Sequence, residues 1–247
     1  MKKLLITCLS VGAFFAASGA LAQDFTQYVA ARAAFVDLKN KADNRAVFEG
    51  NGTLFPNTVL SGTLHDNVPG LRVAYGVQKE MPQIWGKVRG EIEFAYNAEA
   101  KEHGAAVLDA WGQNVNLNWR EKTRSMSVMA NAYYAFDTKT KVSPYIGAGL
   151  GWARLRTAAN GEIVDIILPG GATGSIPFSG SEHRNNFAWN IQAGLSYTIT
   201  PNWVMDLGYR YTDLGHTKSS AVTDSGTSSA KYKIKTQEVS LGIRYHF

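Results

Sequence analysis

The chain has 247 residues, a formal charge of +5 and a single cysteine, Cys8. Cys8 falls within an amino-terminal leader, so the rest of the chain can have no disulfide, thiolate metal site or cysteine nucleophile. The basic balance is mild and no basic cluster is interleaved with aromatics, which argues against nucleic acid as a partner.

Met1–Ala22 reads as a secretory signal peptide. Lys2 and Lys3 supply the positive start, an apolar core runs from Leu4 to Ala17, and Ala20-Leu21-Ala22 is a small-x-small cleavage site. The apolar run is shorter than the ~20 residues of a spanning helix. Residues 23–247 then form one domain, whose charge falls to +3 when Lys2 and Lys3 leave (5 − 2). No later segment holds 18 consecutive apolar residues, so no spanning helix is expected. Transmembrane strands alternate and escape that test.

Eight alternating ladders follow in chain order. Val29, Ala31, Ala33 and Phe35 alternate with Arg32 and Ala34. Leu71, Val73, Tyr75 and Val77 alternate with Arg72, Ala74 and Gly76. Val88, Gly90, Ile92, Phe94 and Tyr96 alternate with Arg89, Glu91, Glu93 and Ala95. Met126 to Phe136 and Ile146 to Trp152 repeat the pattern. Phe187 to Ile199 and Trp203 to Tyr211 form a hairpin around Thr200-Pro201-Asn202. The last ladder sets Val239, Leu241, Ile243, Tyr245 and Phe247 against Glu238, Ser240, Gly242, Arg244 and His246. A period of two places each set on one face of a strand.

Connections alternate in length. Short ones lie at Lys79–Trp85, Asp137–Ser143 and Thr200–Asn202; long polar ones at Lys39–Asn67, Asn97–Lys122, Arg156–Asn186 and Gly215–Lys233. Outer-membrane barrels have short periplasmic turns and longer extracellular loops. The pattern therefore predicts an all-β, eight-stranded antiparallel up-and-down transmembrane barrel, with both termini periplasmic and four loops at the surface. A lipocalin-like soluble barrel alternates too, with its apolar face inward. Aromatics at strand ends (Phe187, Trp189, Tyr197, Trp203, Tyr209, Tyr211, Tyr245, Phe247) and a polar face rich in Gly, Ser, Thr and Asn favour the membrane.

With the polar face inward, Arg32, Arg72, Arg89, Glu91, Glu93, Asp206, Arg210, Glu238 and Arg244 share a lumen only wide enough for side chains. Buried charges need partners. Counting along the last hairpin puts Asp206 level with Arg244 and Arg210 near Glu238, and both pairs are expected. The set reads as a polar plug holding the barrel closed, with an ion or proton path as the functional alternative.

Four segments together, SPYIGAGLGWARL (Ser143–Leu155), SVMANAYYAFD (Ser127–Asp137), MDLGYRYTDLG (Met205–Gly215) and the terminal VSLGIRYHF, resemble the opacity-type and OmpA-like outer-membrane barrels. The resemblance covers the whole mature chain. It implies a monomeric barrel inserted by the outer-membrane assembly machinery, which recognises the terminal strand through Tyr245 and Phe247. It also implies a role as adhesin, surface antigen, membrane-stabilising protein or minor porin. The chain stops at Phe247, so the peptidoglycan-binding domain of full-length OmpA proteins is expected to be absent. Outer-membrane lipid and lipopolysaccharide are the expected surroundings, and a host or surface ligand reached through the loops is the expected partner.

Other chemistry is weakly signalled. Gly147, Gly149 and Gly151 lack the strand-turn-helix setting of a phosphate loop and more simply make room for lumen neighbours such as Tyr133. His65, His103, His183, His216 and His246 have no metal-ligand spacing and read as solvated surface histidines. Ser181 and His183, with Glu182 beside them, are the best hydrolase candidate, for a lipid-modifying enzyme. Ile163, Val164, Ile166, Ile167 and Leu168 are either a strand extension above the membrane or a contact surface. The Ser/Thr-rich stretch Ser219–Ser229 reads as a mobile hydrophilic loop. No catalytic residue, metal or cofactor is expected. The overall expectation is a non-enzymatic surface antigen or adhesin, with a small-solute channel as the alternative.

Overall fold

The computed structural model describes residues 25–49, 63–82, 85–110, 113–167, 171, 173–223 and 226–247. Met1–Ala22, expected to be a signal peptide, lies outside the described residues, as do Leu168, Pro169 and Gly170. Eight strands follow one another: β1 (Thr26–Glu49), β2 (Thr63–Met81), β3 (Gly86–Ala110), β4 (Gln113–Phe136), β5 (Val142–Ile167), β6 (Thr173–Thr198), β7 (Trp203–Thr223) and β8 (Gly226–His246). Each pairs antiparallel with its chain neighbours, and β8 closes the barrel on β1 through pairs such as Val29↔Tyr245 and Phe35↔Val239. Closure leaves no free edge at the level of the ladders.

Short connections join the strands at the end that carries the carboxyl terminus, with described turns between β4 and β5 and between β6 and β7. Asp137 accepts the Lys139 amide at 2.9 Å, and the Asp137 amide reaches the Trp85 carbonyl at 2.9 Å, tying two turns together. Lys139 itself takes φ 57° in that turn.

At the other end the strands do not stop where the expected loops begin. They run 19 to 26 residues, whereas a tilted crossing needs roughly 9–11. The segments read from sequence as long loops are therefore largely ladder: β3 pairs with β4 out to Ala110↔Gln113, and β7 with β8 out to Thr223↔Gly226. Ser219, Ser220 and Ser228 lie in that last ladder rather than in a free loop. Ile163, Val164, Ile166 and Ile167 continue β5, as the strand-extension reading expected.

The outward faces explain why two parts of one strand behave differently. Within the expected crossing, apolar residues point out: Val29, Phe35, Leu71, Ile92, Leu150, Ile191 and Leu241 are all exposed. Just above, the polarity of the faces inverts. On β1, Val36 and Leu38 turn inward and are fully buried, while Asp37 and Lys39 are partly exposed. Val68, Met129, Leu155, Ala188, Leu214 and Ile234 join them in an apolar layer inside the barrel. A strand in lipid buries its polar face; a strand in water buries its apolar face. One ladder does both by changing phase.

The extended part is not a uniform tube. The β2–β3 ladder ends at Gly70↔Asn97, and the β6–β7 ladder breaks above Trp189↔Asp213, with one further pair at Ser179↔Val222. The other six seams continue upward. Above the membrane the wall thus divides into two four-stranded sheets, β7-β8-β1-β2 and β3-β4-β5-β6. Among the described residues, a side chain bridges each parting. Asp66 on β2 accepts the Lys101 amide of β3 at 2.8 Å. Asn186 on β6 donates to the carbonyls of Leu214 (3.0 Å) and His216 (2.8 Å) on β7.

Candidate functional site

Two regions carry charge in an organised way: the lumen and the outward surface just above the crossing. The lumen is built by alternation. Every second residue of each crossing strand points inward, so β1 delivers Arg32, β2 Arg72, β3 Arg89, Glu91 and Glu93, β7 Asp206 and Arg210, and β8 Glu238 and Arg244. All nine of these side chains are buried.

Their pairing runs across the barrel. Arg32 grips Glu91 with both terminal nitrogens, at 2.7 and 3.2 Å, and reaches Glu93 at 3.1 Å. From the far wall Arg210 donates to the same Glu93 at 2.8 Å and to Gln192 at 3.1 Å. Arg72 donates to Glu238, two strands away. Ser196 donates to Asp206 at 2.7 Å, and Arg244 reaches the same carboxylate at 3.3 Å. Five guanidiniums thus share four carboxylates. Arg89 is the one held least by carboxylate, with Asp206 at 3.9 Å. Its guanidinium lies over the rings of Tyr133 (4.6 Å) and Tyr145 (4.8 Å), where ring quadrupoles stabilise a cation.

Of the two ion pairs expected in the last hairpin, Arg210 stands directly opposite Glu238, with Nε 3.6 Å from the carboxylate. Asp206 faces Gly242, and Arg244 faces Val204. The expected level was two residues off, yet the long guanidinium spans the diagonal and the contact forms.

The tyrosines around this layer are a further part of the site. Tyr28 and Tyr133 each donate to Glu91 at 2.9 Å, and Arg244 lies 5.1 Å from the Tyr28 ring. Tyr28 shares the inward phase of Arg32, so the ladder carried a signal for it. Gly147 lies against Tyr133: a Cβ there would stand 2.6 Å from the ring. His246 departs from the surface reading. It is buried and packs against Tyr28 with centroids 5.2 Å apart, while His103, His183 and His216 are exposed; the His65 side chain is outside the described residues. Ser181 and His183 are exposed and in alternate positions on β6. Among the described residues no three His, Cys, Asp or Glu side chains converge as metal ligands.

The outer membrane protein beta-barrel domain model matches residues 6–247. The chain belongs to this outer-membrane β-barrel family. It is 30% identical over 211 residues to the outer membrane protein PagN of Salmonella typhimurium, covering 81% of this chain and 84% of PagN. It is 28% identical over 135 residues to the opacity protein opA66 of Neisseria gonorrhoeae, which spans 49% of this chain and 52% of that relative. Among solved structures, neisserial surface protein A superposes with a TM-score of 0.50 at 20% identity, covering 90% of this chain and 97% of the other.

As an outer-membrane barrel, the protein presents its apolar belt to lipid, bounded by aromatic girdles. Trp189 and Tyr211 (5.7 Å) mark one rim; Trp203, Tyr245 and Phe247 mark the other. Above the first rim several outward residues are charged. Lys39 pairs with Asp37 at 3.4 Å and Lys233 with Asp213 at 3.1 Å. Lys235 lies over the Tyr211 ring at 5.8 Å, and its hydrogen bond to that phenol raises its pKa.

Proposed function

We propose that this barrel is a monomeric, non-enzymatic surface protein whose long hairpins form an extracellular recognition element, in the role of adhesin or surface antigen. Both termini then lie in the periplasm, and the terminal strand addresses the chain to the outer-membrane assembly machinery. The observation that carries the reading is the distribution of structure. The crossing is filled by interdigitated charge, whereas more than half of most strands is spent on a projection beyond the bilayer. A filled lumen supports a plug rather than a small-solute channel. Arg72, Arg89 and Glu93 are almost fully buried, and moving them aside would separate charges in a low-dielectric interior. The opacity-type resemblance, which implies surface recognition, points the same way. The lipid-modifying alternative rests on Ser181 and His183 alone.

Two measurements test the reading. Cells displaying the intact protein should bind a host-cell or matrix layer, and trimming the hairpins above the girdle should abolish binding while leaving a folded barrel. Retained binding after trimming would remove the adhesin role. In planar bilayers the intact protein should give no steady unitary conductance; a stable open level would favour the channel.

A further inference from the structure

On the outward face of β4, β5 and β6 the cations above the girdle are not balanced as they are elsewhere. The top lipid-facing row is apolar: Val128↔Trp152↔Phe187, with Trp152 70% exposed. The next row upward is Met126↔Arg154↔Asn185, and the next is Arg124↔Arg156↔His183. Lys122 and Arg120 continue the same face of β4. Arg124 and Lys122 share a single carboxylate, Glu99, at 3.3 and 3.6 Å. Arg154 and Arg156 are exposed and have no carboxylate within ion-pair distance among the described residues. Around the rest of the rim Lys39 and Lys233 each have their own partner.

Two like charges directly opposite on paired strands destabilise a sheet. Arg124 and Arg156 are so placed, and the one carboxylate at hand, Glu99, is held by Arg124 and Lys122 and makes no ion pair with Arg156 among the described residues. Their height matters as much as their sign. Each row is about 6–7 Å further along the strand than the one below, so Arg154 and Arg156 stand in the first headgroup layers above the Trp152 row. A phosphate monoester is the anion this arrangement fits: guanidinium presents paired donors to phosphate oxygens, and one phosphate can face two arginines. In the outer leaflet of an outer membrane, phosphates at that depth belong to the lipid A part of lipopolysaccharide.

We propose that Arg154 and Arg156, with Arg124 and Lys122 beside them and Trp152 beneath on the acyl chains, form a binding site for a lipid A phosphate on the β4–β6 face of the barrel. The site sets which face the protein turns toward ordered lipopolysaccharide. The proposal rests on the extracellular placement of the long hairpins proposed above, and that placement has its own check. Cys8 lies in the leader, so Ser181→Cys introduces a thiol unique to the mature chain. A membrane-impermeant maleimide should label it on intact cells.

The test uses the full-length folded protein in vesicles of phosphatidylcholine alone and in vesicles with added diphosphoryl lipid A. Lipid A should raise the thermal unfolding midpoint and shift the Trp emission. Arg154→Gln/Arg156→Gln should lose more than half of both responses while unfolding normally in phosphatidylcholine. Lys233→Gln, on the opposite sheet, should keep them. Lipid A stripped of its phosphates should give no response with either protein. The proposal is overturned by an unchanged response in the double variant, by equal responses to stripped and diphosphoryl lipid A, or by equal loss in Lys233→Gln. It is also overturned if a soluble polysulfated glycan, and not lipid A, produces the arginine-dependent response, for the occupant is then a soluble polyanion. If the double variant fails in phosphatidylcholine as well, Arg156→Lys decides: retention of charge without the planar fork should keep part of the response, and an undiminished one overturns bidentate phosphate recognition.

Discussion

Glu93 lies between two guanidiniums, Arg32 at 3.1 Å and Arg210 at 2.8 Å, and none of the three is accessible enough to be rescued by water. Glu93→Ala should therefore lower the unfolding free energy in detergent by about 3–5 kcal/mol, because two buried cations lose their shared acceptor. Glu80→Ala, which breaks the exposed turn pair with Lys87, should change it by less than about 0.5 kcal/mol. Denaturant unfolding of the two variants side by side checks both. The inward phase of the ladder was enough to place these nine charged residues in the lumen. It also gave the two pairs of the last hairpin, Arg210 with Glu238 and Arg244 with Asp206, but not the contacts across the barrel, because partners were sought on adjacent strands. The lumen is so narrow that a guanidinium reaches the opposite wall as readily as its neighbour, and Arg210 on β7 meets Glu93 on β3. His246 shows the same gap from the other side: its even position in β8 is the inward phase of Arg244, which outweighed its place near the chain end.

At the scale of the strand, the informative event is the change of phase. Phe35 faces lipid and Val36 faces the interior, so two adjacent apolar residues mark the point where the environment outside changes from hydrocarbon to water. A search for one uninterrupted period ends each strand there and assigns the rest to loops. The apolar residues beyond it, Leu38, Leu155 and Ile234 among them, still alternate, but in the opposite register to the belt. Asn186 is the element-scale counterpart of a ladder bond, since its amide takes the place of backbone pairing on β7. Gly215, at φ 81°, lets β7 bulge toward it; a Cβ there would stand 2.8 Å from Cβ of Asn186. Asn186→Ala removes two hydrogen bonds, each contributing about 0.5–1.5 kcal/mol. Amide exchange around Leu214–His216 should rise roughly 10-fold, since ~1.4 kcal/mol corresponds to that factor, while the β6–β7 ladder below Trp189 keeps its protection. Exchange followed by mass spectrometry separates the two regions.

For the molecule as a whole, the carboxyl end has a small structural share and a proposed larger one in assembly. The Phe247 amide donates to the Gln27 carbonyl at 3.1 Å, and its exposed ring stacks on Tyr245. Removing Phe247 should leave the melting temperature of the folded barrel nearly unchanged, since one terminal hydrogen bond is lost. Insertion into proteoliposomes containing the assembly machinery should slow markedly, and spontaneous folding in detergent should not. Equal slowing in both would assign Phe247 to folding rather than to recognition.

The parting of the wall at β2/β3 and β6/β7 also bears on how such a surface can change over generations. Above Gly70↔Asn97 and Trp189↔Asp213, backbone pairing continues within each sheet but, apart from Ser179↔Val222, not between the two. An insertion at the β3/β4 or β5/β6 tip alters partners only within its own half, and the opposite half keeps its alignment. Sequence drift, and selection acting on it, can therefore proceed separately at the tips of the two halves, while Asp66, Asn186 and the shared apolar layer beneath are where one half answers to the other.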